Sequence, residues 1–364
     1  MTTLRLTPVA SQPTRLPDPP AGAPVIIAVD LARTTWKHAV YFDGHIQRTL
    51  STPGALEHLQ ALVRHYHPAH RVWVVYEACG FGYEIAWWAQ ASGVDVLVVA
   101  PSRVERAPGP RVKTDRLDAR MLATKTAART LKGIAIPPRQ QHEDRQLLRT
   151  YTQAVRARTR AQVQVRAVLQ EHGRIGPPPT SGWRVYTQWL DAQELPPPVA
   201  RAVAELRTLR ATAHLSAHRL VQHLHALAAT PRYAAQVAAL TSHAGVGELS
   251  AMRLLLELGD ITRFRRADSL THFLGLTPSE YSSGDTAPHR GPIRKCGPAG
   301  VRANLVQCAW ASLRSDAKLR ATFDRINARA GRKRAIIAVS RRLAVRLRAR
   351  WLESLAPPAA AAAS

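Results

Sequence analysis

The chain has 364 residues, 46% of them hydrophobic, which is enough to bury a core and excludes wholesale disorder. Its 51 Lys and Arg against 25 Asp and Glu leave a formal charge of +26, a balance that argues for a polyanionic partner, nucleic acid by default and a membrane surface as the alternative. No apolar run approaches the roughly 20 residues of a spanning helix. The opening MTTLRLTPVASQPTRLPDPPAGAP carries no apolar stretch of a signal peptide. Cys79, Cys296 and Cys308 show no CxxC pair, which argues against a zinc site or a disulfide framework. The expectation is a soluble protein of a reducing compartment with no membrane partner.

Residues 1–23 read as a loose Pro-rich tail, and the patterned chain begins at Pro24. VIIAVD (25–30) is a short apolar run ending in an acid; HAVYF (38–42) and a turn at Asp43–Gly44 complete a β-hairpin signal. The spacing of Leu56, Leu59, Leu62 and Val63 predicts a helix over 51–67. VWVVYE (72–77) is a second buried strand ending in an acid, 82–92 a helix, and VDVLVVAP (94–101) a third strand. Strands alternating with helices define an α/β layer over 24–138. Residues 139–172 and 196–228 are long helical stretches rich in Arg and Gln. The segment between them, bounded by two proline triplets, reads as a turn or linker. Together 139–230 suggest an antiparallel, coiled-coil-like helical spacer. A helical C-terminal region spans 231–353, with helices over 264–275, 298–316 and 334–352, and 354–364 is a frayed tail.

The chain is poor in acids, so their placement carries information. Asp30 and Glu77 each end a predicted strand, and in neighbouring strands both carboxylates would lie at the sheet edge where α/β folds place their sites. In RVKTDRLDARMLA, Asp115 and Asp118 are three apart and share a helix face. Four carboxylates can hold two Mg²⁺ ions ~3.5–4 Å apart for phosphodiester chemistry. The bland alternatives are a solvated strand end or helix cap, and salt bridges from Asp115 and Asp118 to Arg116 and Arg120. Glu84, a competitor for Glu77, falls inside the next predicted helix.

In the C-terminal region Ser282 and Ser283 precede Gly284 in a loop between predicted helices, with Arg290, Arg294, Lys295 and Arg302 near in sequence and able to grip phosphate. A hydroxyl presented beside cations can be a nucleophile; on residue chemistry alone, Ser-Ser-Gly is more often the composition of a plain turn. HAGVGELSAMRLLLELG carries a Gly245-Val246-Gly247 turn of helix-hairpin-helix type, whose backbone N–H groups either face a phosphate or simply let two helices pack. GRKRAIIAVSRRLAVRLRAR holds Arg332, Lys333, Arg334, Arg341, Arg342, Arg346, Arg348 and Arg350 with no acid, beside an apolar face of Ile336, Ile337, Val339, Leu343 and Leu347. Such density either binds a polyanion or is a solvated face. At 6% aromatic residues the chain is not built for extended base stacking; Trp87 and Trp88 read as core or subunit contacts. The chain has no GxxxxGK[ST] nucleotide loop and its 15 histidines show no metal spacing.

VIIAVDLARTTWKHAV, VYEACGFGYE and VVAPSRVERAPGPRVKTDRLDARMLA resemble the N-terminal half of the DEDD-type insertion-sequence transposases of the one-hundred-and-ten family. GLTPSEYSSG, GPIRKCG and NLVQCAW resemble its C-terminal transposase domain, although GPIRKCGPAG departs from the family's glycine pattern. The resemblance implies a RuvC-like domain of RNase H fold with Asp30, Glu77, Asp115 and Asp118 holding Mg²⁺, or Mn²⁺ in its place. It implies Ser283 as nucleophile, with Ser282 as fallback. It further implies a transient phosphoserine link, double-stranded DNA (element ends and target) as substrate and a structured non-coding guide RNA. The expected assembly is a homodimer or homotetramer with a composite site, in the bacterial cytoplasm and at the nucleoid.

Overall fold

VIIAVD is apolar on both sides of the pleat, the pattern of a strand covered on both faces, and it lies at the centre of the sheet. In the computed structural model, which describes residues 21–104, 115–281 and 289–356, the chain divides by its contacts into two units, 1–139 and 140–364.

In the first unit β1 (Val25–Asp30), β2 (Thr35–Phe42), β3 (His45–Pro53), β4 (Val72–Glu77) and β5 (Asp95–Val99) form one sheet in the order β3-β2-β1-β4-β5. β2 runs antiparallel to β1 and β3, whereas β4 and β5 run parallel to β1. Helices α1 (Leu56–Tyr66) and α2 (Glu84–Ala91) cover one face, over a core that includes Ile27, Val29, Leu59, Val74, Tyr76 and Ile85. Helix α3 (Asp115–Ala127) covers the other, packing Ala119, Leu122 and Ala123 on Ala28, Ala39, Val75 and Val99.

The sequence predicted a helix from Ser51; instead 45–53 is the third strand and α1 begins at Leu56. The turn explains it. Asp43 and Gly44 both have positive φ, 46° and 77°, the requirement of a type I′ hairpin turn, which sends the chain straight back along β2. Pairing then runs to Thr35↔Pro53 before the apolar spacing of the helix takes over.

The second unit opens with α4, whose 33 residues run to Glu171. Its length follows from the absence of Pro and Gly; Gly173, with φ 71°, closes it. The 32-residue α6 (Pro197–Ala228) returns, with proline at its first positions, where no N–H is needed. Thus the second proline triplet starts a helix. The segment between them, expected as a linker, contains helix α5 (Gly182–Asp191), which buries Tyr186 and Leu190 with Val165, Leu169 and Val203. The hairpin's other end, at Leu148, Leu224 and Ala228, belongs to the main helical core.

That core is built from α7 (Ala234–Thr241), α8 (Glu248–Leu258), α9 (Ala267–Phe273), α10 (Ala299–Ser312), α11 (Ala317–Ala330) and α12 (Arg332–Glu353). The helix expected over 298–316 stops at Ser312 because Asp316 caps a new one, its carboxylate accepting from Leu319 N at 2.8 Å. Strands β6 (Pro278–Tyr281) and β7 (His289–Ile293) pair antiparallel where only a loop between helices was expected. No helix among the described residues is long and apolar enough to cross a membrane.

Candidate active site and nucleic-acid interface

Asp30 and Glu77 are brought together by strand register. In the parallel β1–β4 pair Val29 stands opposite Tyr76, so each acid is the next residue, at the C-terminal end of its strand. Side chains alternate faces along a strand. Ala28 and Val75, two residues earlier, belong to the core under α3, so Asp30 and Glu77 share the face that α3 covers. The row continues across the hairpin: Lys37 stands opposite Asp30 and Ser51 opposite Lys37.

Helix α3 presents its N-terminal end to this row. Ala119 lines a cavity of about 230 Å³ with Lys37 and Ser51, at the Asp30 end of the sheet. Thr126 and Ala127 line a different cavity with Ile26, Tyr41 and Trp73, at the other end. The helix therefore runs away from the acids. Asp115 is its first residue and Asp118 lies one turn on, so α3 begins toward the end of the sheet face that carries Asp30 and Glu77. The side chain of Asp115 lies outside the described residues.

The donor set fits a hard divalent ion, which takes carboxylate oxygen. Glu77 Oε1 is buried and meets no hydrogen-bond partner, a costly state for a carboxylate oxygen unless a cation or water satisfies it. Among the described residues no three His, Cys, Asp or Glu side chains are close enough to form a metal cluster. Glu84 is spent elsewhere, in an ion pair with Arg139 at 2.6 Å. Trp87, read as a core or subunit contact, donates to Pro137 O at 2.8 Å and carries Arg139 over its ring at 4.7 Å. Beside the acids, His38 is 1% exposed. Its Nε2 meets Thr52 Oγ1 at 2.8 Å. Burial, helped by His58, pushes its pKa down to about 4.

In the second unit Ser282 and Ser283 lie outside the described residues, between β6 and β7. Arg290 sits in β7 opposite Glu280. The remaining cations divide into two groups that sequence could not separate. Arg302 is anchored, its Nη1 donating to Leu274 O at 3.0 Å and to Cys296 O at 2.9 Å. Arg341 pairs with Asp268 at 2.8 Å, Arg342 donates to Thr322 Oγ1 at 2.9 Å, and Arg348 donates to Phe264 O. Arg346 pairs with Asp316 at 2.5 Å. Burial pushes Asp316 up, but its bond from Leu319 N, Arg346 and His243 outweigh that, and its pKa is lowered. Lys295 and Arg294 are exposed, Arg294 meeting His272 Nε2 at 3.1 Å. Arg332, Lys333 and Arg334 are exposed at the start of α12, with Arg332 over the Trp310 ring at 4.7 Å.

The Gly245–Gly247 turn joins α7 to α8. Gly245 has φ 93°, and a Cβ there would lie 2.5 Å from Ser312 N; packing alone demands a glycine. Gly247 caps α8, whose first-turn acid Glu248 is bound by His225. Ser242, His243 and Ala244, just before the turn, line a cavity of about 680 Å³ with Lys318, Arg346 and Arg350.

A sheet in the order β3-β2-β1-β4-β5, antiparallel on the hairpin side and parallel beyond β1, with acids at the C-terminal edge of β1 and β4, defines an RNase H-like α/β domain, here followed by a helical unit. Comparison with known proteins narrows this. Residues 26–173 match the DEDD transposases of the IS110 group, described as Transposase, and residues 237–324 match the Transposase IS116/IS110/IS902 family. A protein of Sinorhizobium fredii named as a transposase is 34% identical over 66% of this chain and 58% of its own length. The transposase for insertion sequence element IS1111A of Coxiella burnetii is 27% identical over 66% of each chain. The match thus spans under three-fifths of the first relative and about two-thirds of the second. The chain belongs to the IS110 family of DEDD transposases.

Proposed function

We propose that the protein is the DNA transposase of an insertion sequence, using Asp30, Glu77, Asp115 and Asp118 to hold divalent ions and Ser283 as nucleophile, with Ser282 the fallback. The observation that carries this reading is the placement of Asp30 and Glu77 at the ends of adjacent parallel strands, one residue past the Val29–Tyr76 pair, on the face covered by the helix that begins at Asp115. Mg²⁺, or Mn²⁺ in its place, would supply charge stabilisation at the phosphate oxygens. The serine hydroxyl attacks phosphorus; the Oγ–P bond forms as the bond to the departing strand's oxygen breaks. That oxygen takes up a proton. The phosphoserine ester conserves the phosphodiester energy, so an incoming strand's hydroxyl can displace the serine without a nucleotide.

The same reading has double-stranded DNA as element end and target, chosen by a structured non-coding RNA. The acids and the serine meet in a composite site in a homodimer or homotetramer, acting in the cytoplasm at the nucleoid. Arg290, Arg294, Lys295, Arg332, Lys333 and Arg334 are the proposed phosphate contacts. Arg341 and Arg342 contribute charge while anchored internally, and the Gly245–Gly247 turn offers backbone N–H groups.

The test uses a plasmid carrying the gene with its native flanks. Asp118→Asn should abolish strand cleavage, and Ser283→Ala should abolish strand exchange. Exchange that survives Ser283→Ala but not Ser282→Ala moves the nucleophile by one residue. Exchange that survives both leaves a metal-dependent nuclease, and cleavage that survives Asp118→Asn removes the carboxylate mechanism. RNA retained through a wash at ~1 M salt, which strips charge-driven binding, should be one discrete species encoded beside the gene; a heterogeneous mixture would remove the guide.

A further inference from the structure

We infer that Lys37 is a substrate-binding residue of the carboxylate site, gripping a non-bridging oxygen of the phosphate that is cut, and that Ser51 positions it. The inference rests on the proposed role of the acids and adds a group that neither the DEDD set nor the basic segments of the sequence point to.

The row across the sheet carries the argument. Four strands contribute Ser51, Lys37, Asp30 and Glu77 in consecutive register at one edge. Directly opposed residues of an antiparallel pair lie on the same face, with Cβ atoms roughly 4.5–5.5 Å apart. Lys37 is therefore the cross-strand neighbour of Asp30 on the face α3 covers. Its Nζ donates to Ser51 Oγ at 2.8 Å, so a long flexible side chain is held in one place. Both residues line the cavity of about 230 Å³ that Ala119 closes from α3, one residue beyond Asp118. A solvent-accessible recess bordered by a fixed ammonium, next to carboxylates at a strand end, suits a phosphate group. The ions would neutralise the acids, and the lysine would take the phosphate charge that they leave exposed. An ammonium carries three N–H donors, and one of them is given to Ser51; the phosphate contact would use the others.

Lys37 stands between Trp36 and His38, both buried and both on the opposite parity. Strand alternation alone would tolerate any polar residue at 37, so charge at this point is a choice specific to the edge. Structural need is an insufficient account: among the described residues the ammonium donates to an exposed serine hydroxyl, a contact worth little to folding.

The test uses the full-length protein and a fluorescein-labelled duplex copied from the DNA flanking the gene. Binding is measured against salt in Ca²⁺, a hard cation that takes the same oxygen ligands. Loss of one phosphate contact should lower the slope of log K against log salt by about one in Lys37→Met. Excision from the gene-and-flank plasmid should fall roughly tenfold to hundredfold in Lys37→Met, as for loss of one charge-assisted bond. Lys37→Arg should keep most of it, and Ser51→Ala should lose a few-fold with an unchanged slope. An unchanged slope with parental excision in Lys37→Met overturns the inference. If Lys37→Met melts early, Lys37→Gln is read in its place by the same criteria. Asp118→Asn separates the two proposals. If it is inactive while Lys37→Met behaves as the parent, only the lysine fails; if it stays active, the carboxylate reading fails first.

Discussion

Gly245 and Ser312 touch across the second unit so closely that a methyl group cannot be placed between them: a Cβ on Gly245 would stand 2.5 Å from Ser312 N and 2.6 Å from its Oγ. The Ser312 Oγ meanwhile lies 2.8 Å from both Ala244 O and Cys308 O, so its one proton is shared between carbonyls of the α7–α8 turn and of α10. Gly245→Ala should therefore destabilise the protein by roughly 2–4 kcal/mol, from the positive φ and the overpacking together. Gly247→Ala, at φ −87° with open space around its Cβ, should cost well under half of that. Urea denaturation of both variants checks the contrast. Equal effects would mean that the turn is not locked by Ser312.

Glu77 offers a test of ion binding that needs no DNA. Its buried, unpartnered Oε1 is a liability to folding that a cation would relieve. In metal-free buffer Glu77→Gln should unfold no earlier than the parent. At a hundred times its Kd, an ion would stabilise the parent by about 2.7 kcal/mol and the variant by far less. Thermal unfolding with and without Mg²⁺ or Mn²⁺ reads this directly; an equal shift in both proteins would take Glu77 out of the ion-holding set.

His38 makes the first unit acid-sensitive. Its folded pKa of about 4 lies below the 6.5 of an unfolded chain, so the unfolded state binds the extra proton between these values. The stability that the neutral, buried ring contributes is complete above about pH 6.5 and is lost as the pH falls towards 4, for a total of about 3 kcal/mol. His38→Gln should flatten the pH dependence of the unfolding midpoint in that window. If the slope is unchanged, another group is responsible.

Two arginines and a lysine that look alike in sequence should behave differently. Arg302→Ala removes the donor to Leu274 O and Cys296 O and should lower stability by about 1–3 kcal/mol, since the part-buried Leu274 O loses a charged partner. Arg348→Ala should do the same through Phe264 O. Lys333→Ala, exposed at the start of α12, should leave stability unchanged and reduce the salt slope of DNA binding by about one. A salt slope that drops for Arg302→Ala with no loss of stability would restore its role as a phosphate ligand.

The central strands were legible because VIIAVD and VWVVYE are continuous apolar runs that each end in an acid, and α4 and α6 because nothing in them breaks a helix. β3 was not, because it is an edge strand whose HIQRTLSTP is half exposed throughout and has no buried face to write a period of two into the sequence. α5 was hidden by the prolines around it, although Trp183, Tyr186 and Trp189 already follow helical spacing. α11 went unseen because Asp316 reads as the end of one helix when its carboxylate in fact begins the next.

By itself the sequence determined the strongly basic charge and the α/β then helical order. These depend on residue type and local period, which survive without knowledge of the fold. Tertiary structure alone decided which cations are free and which are spent, because Arg302 and Arg348 reach carbonyls 28 and 84 residues away. It alone set Lys37 beside Asp30. Strand register follows from the turn and from the pairing it imposes, and a slip of one residue would turn every side chain of β2 to the other face.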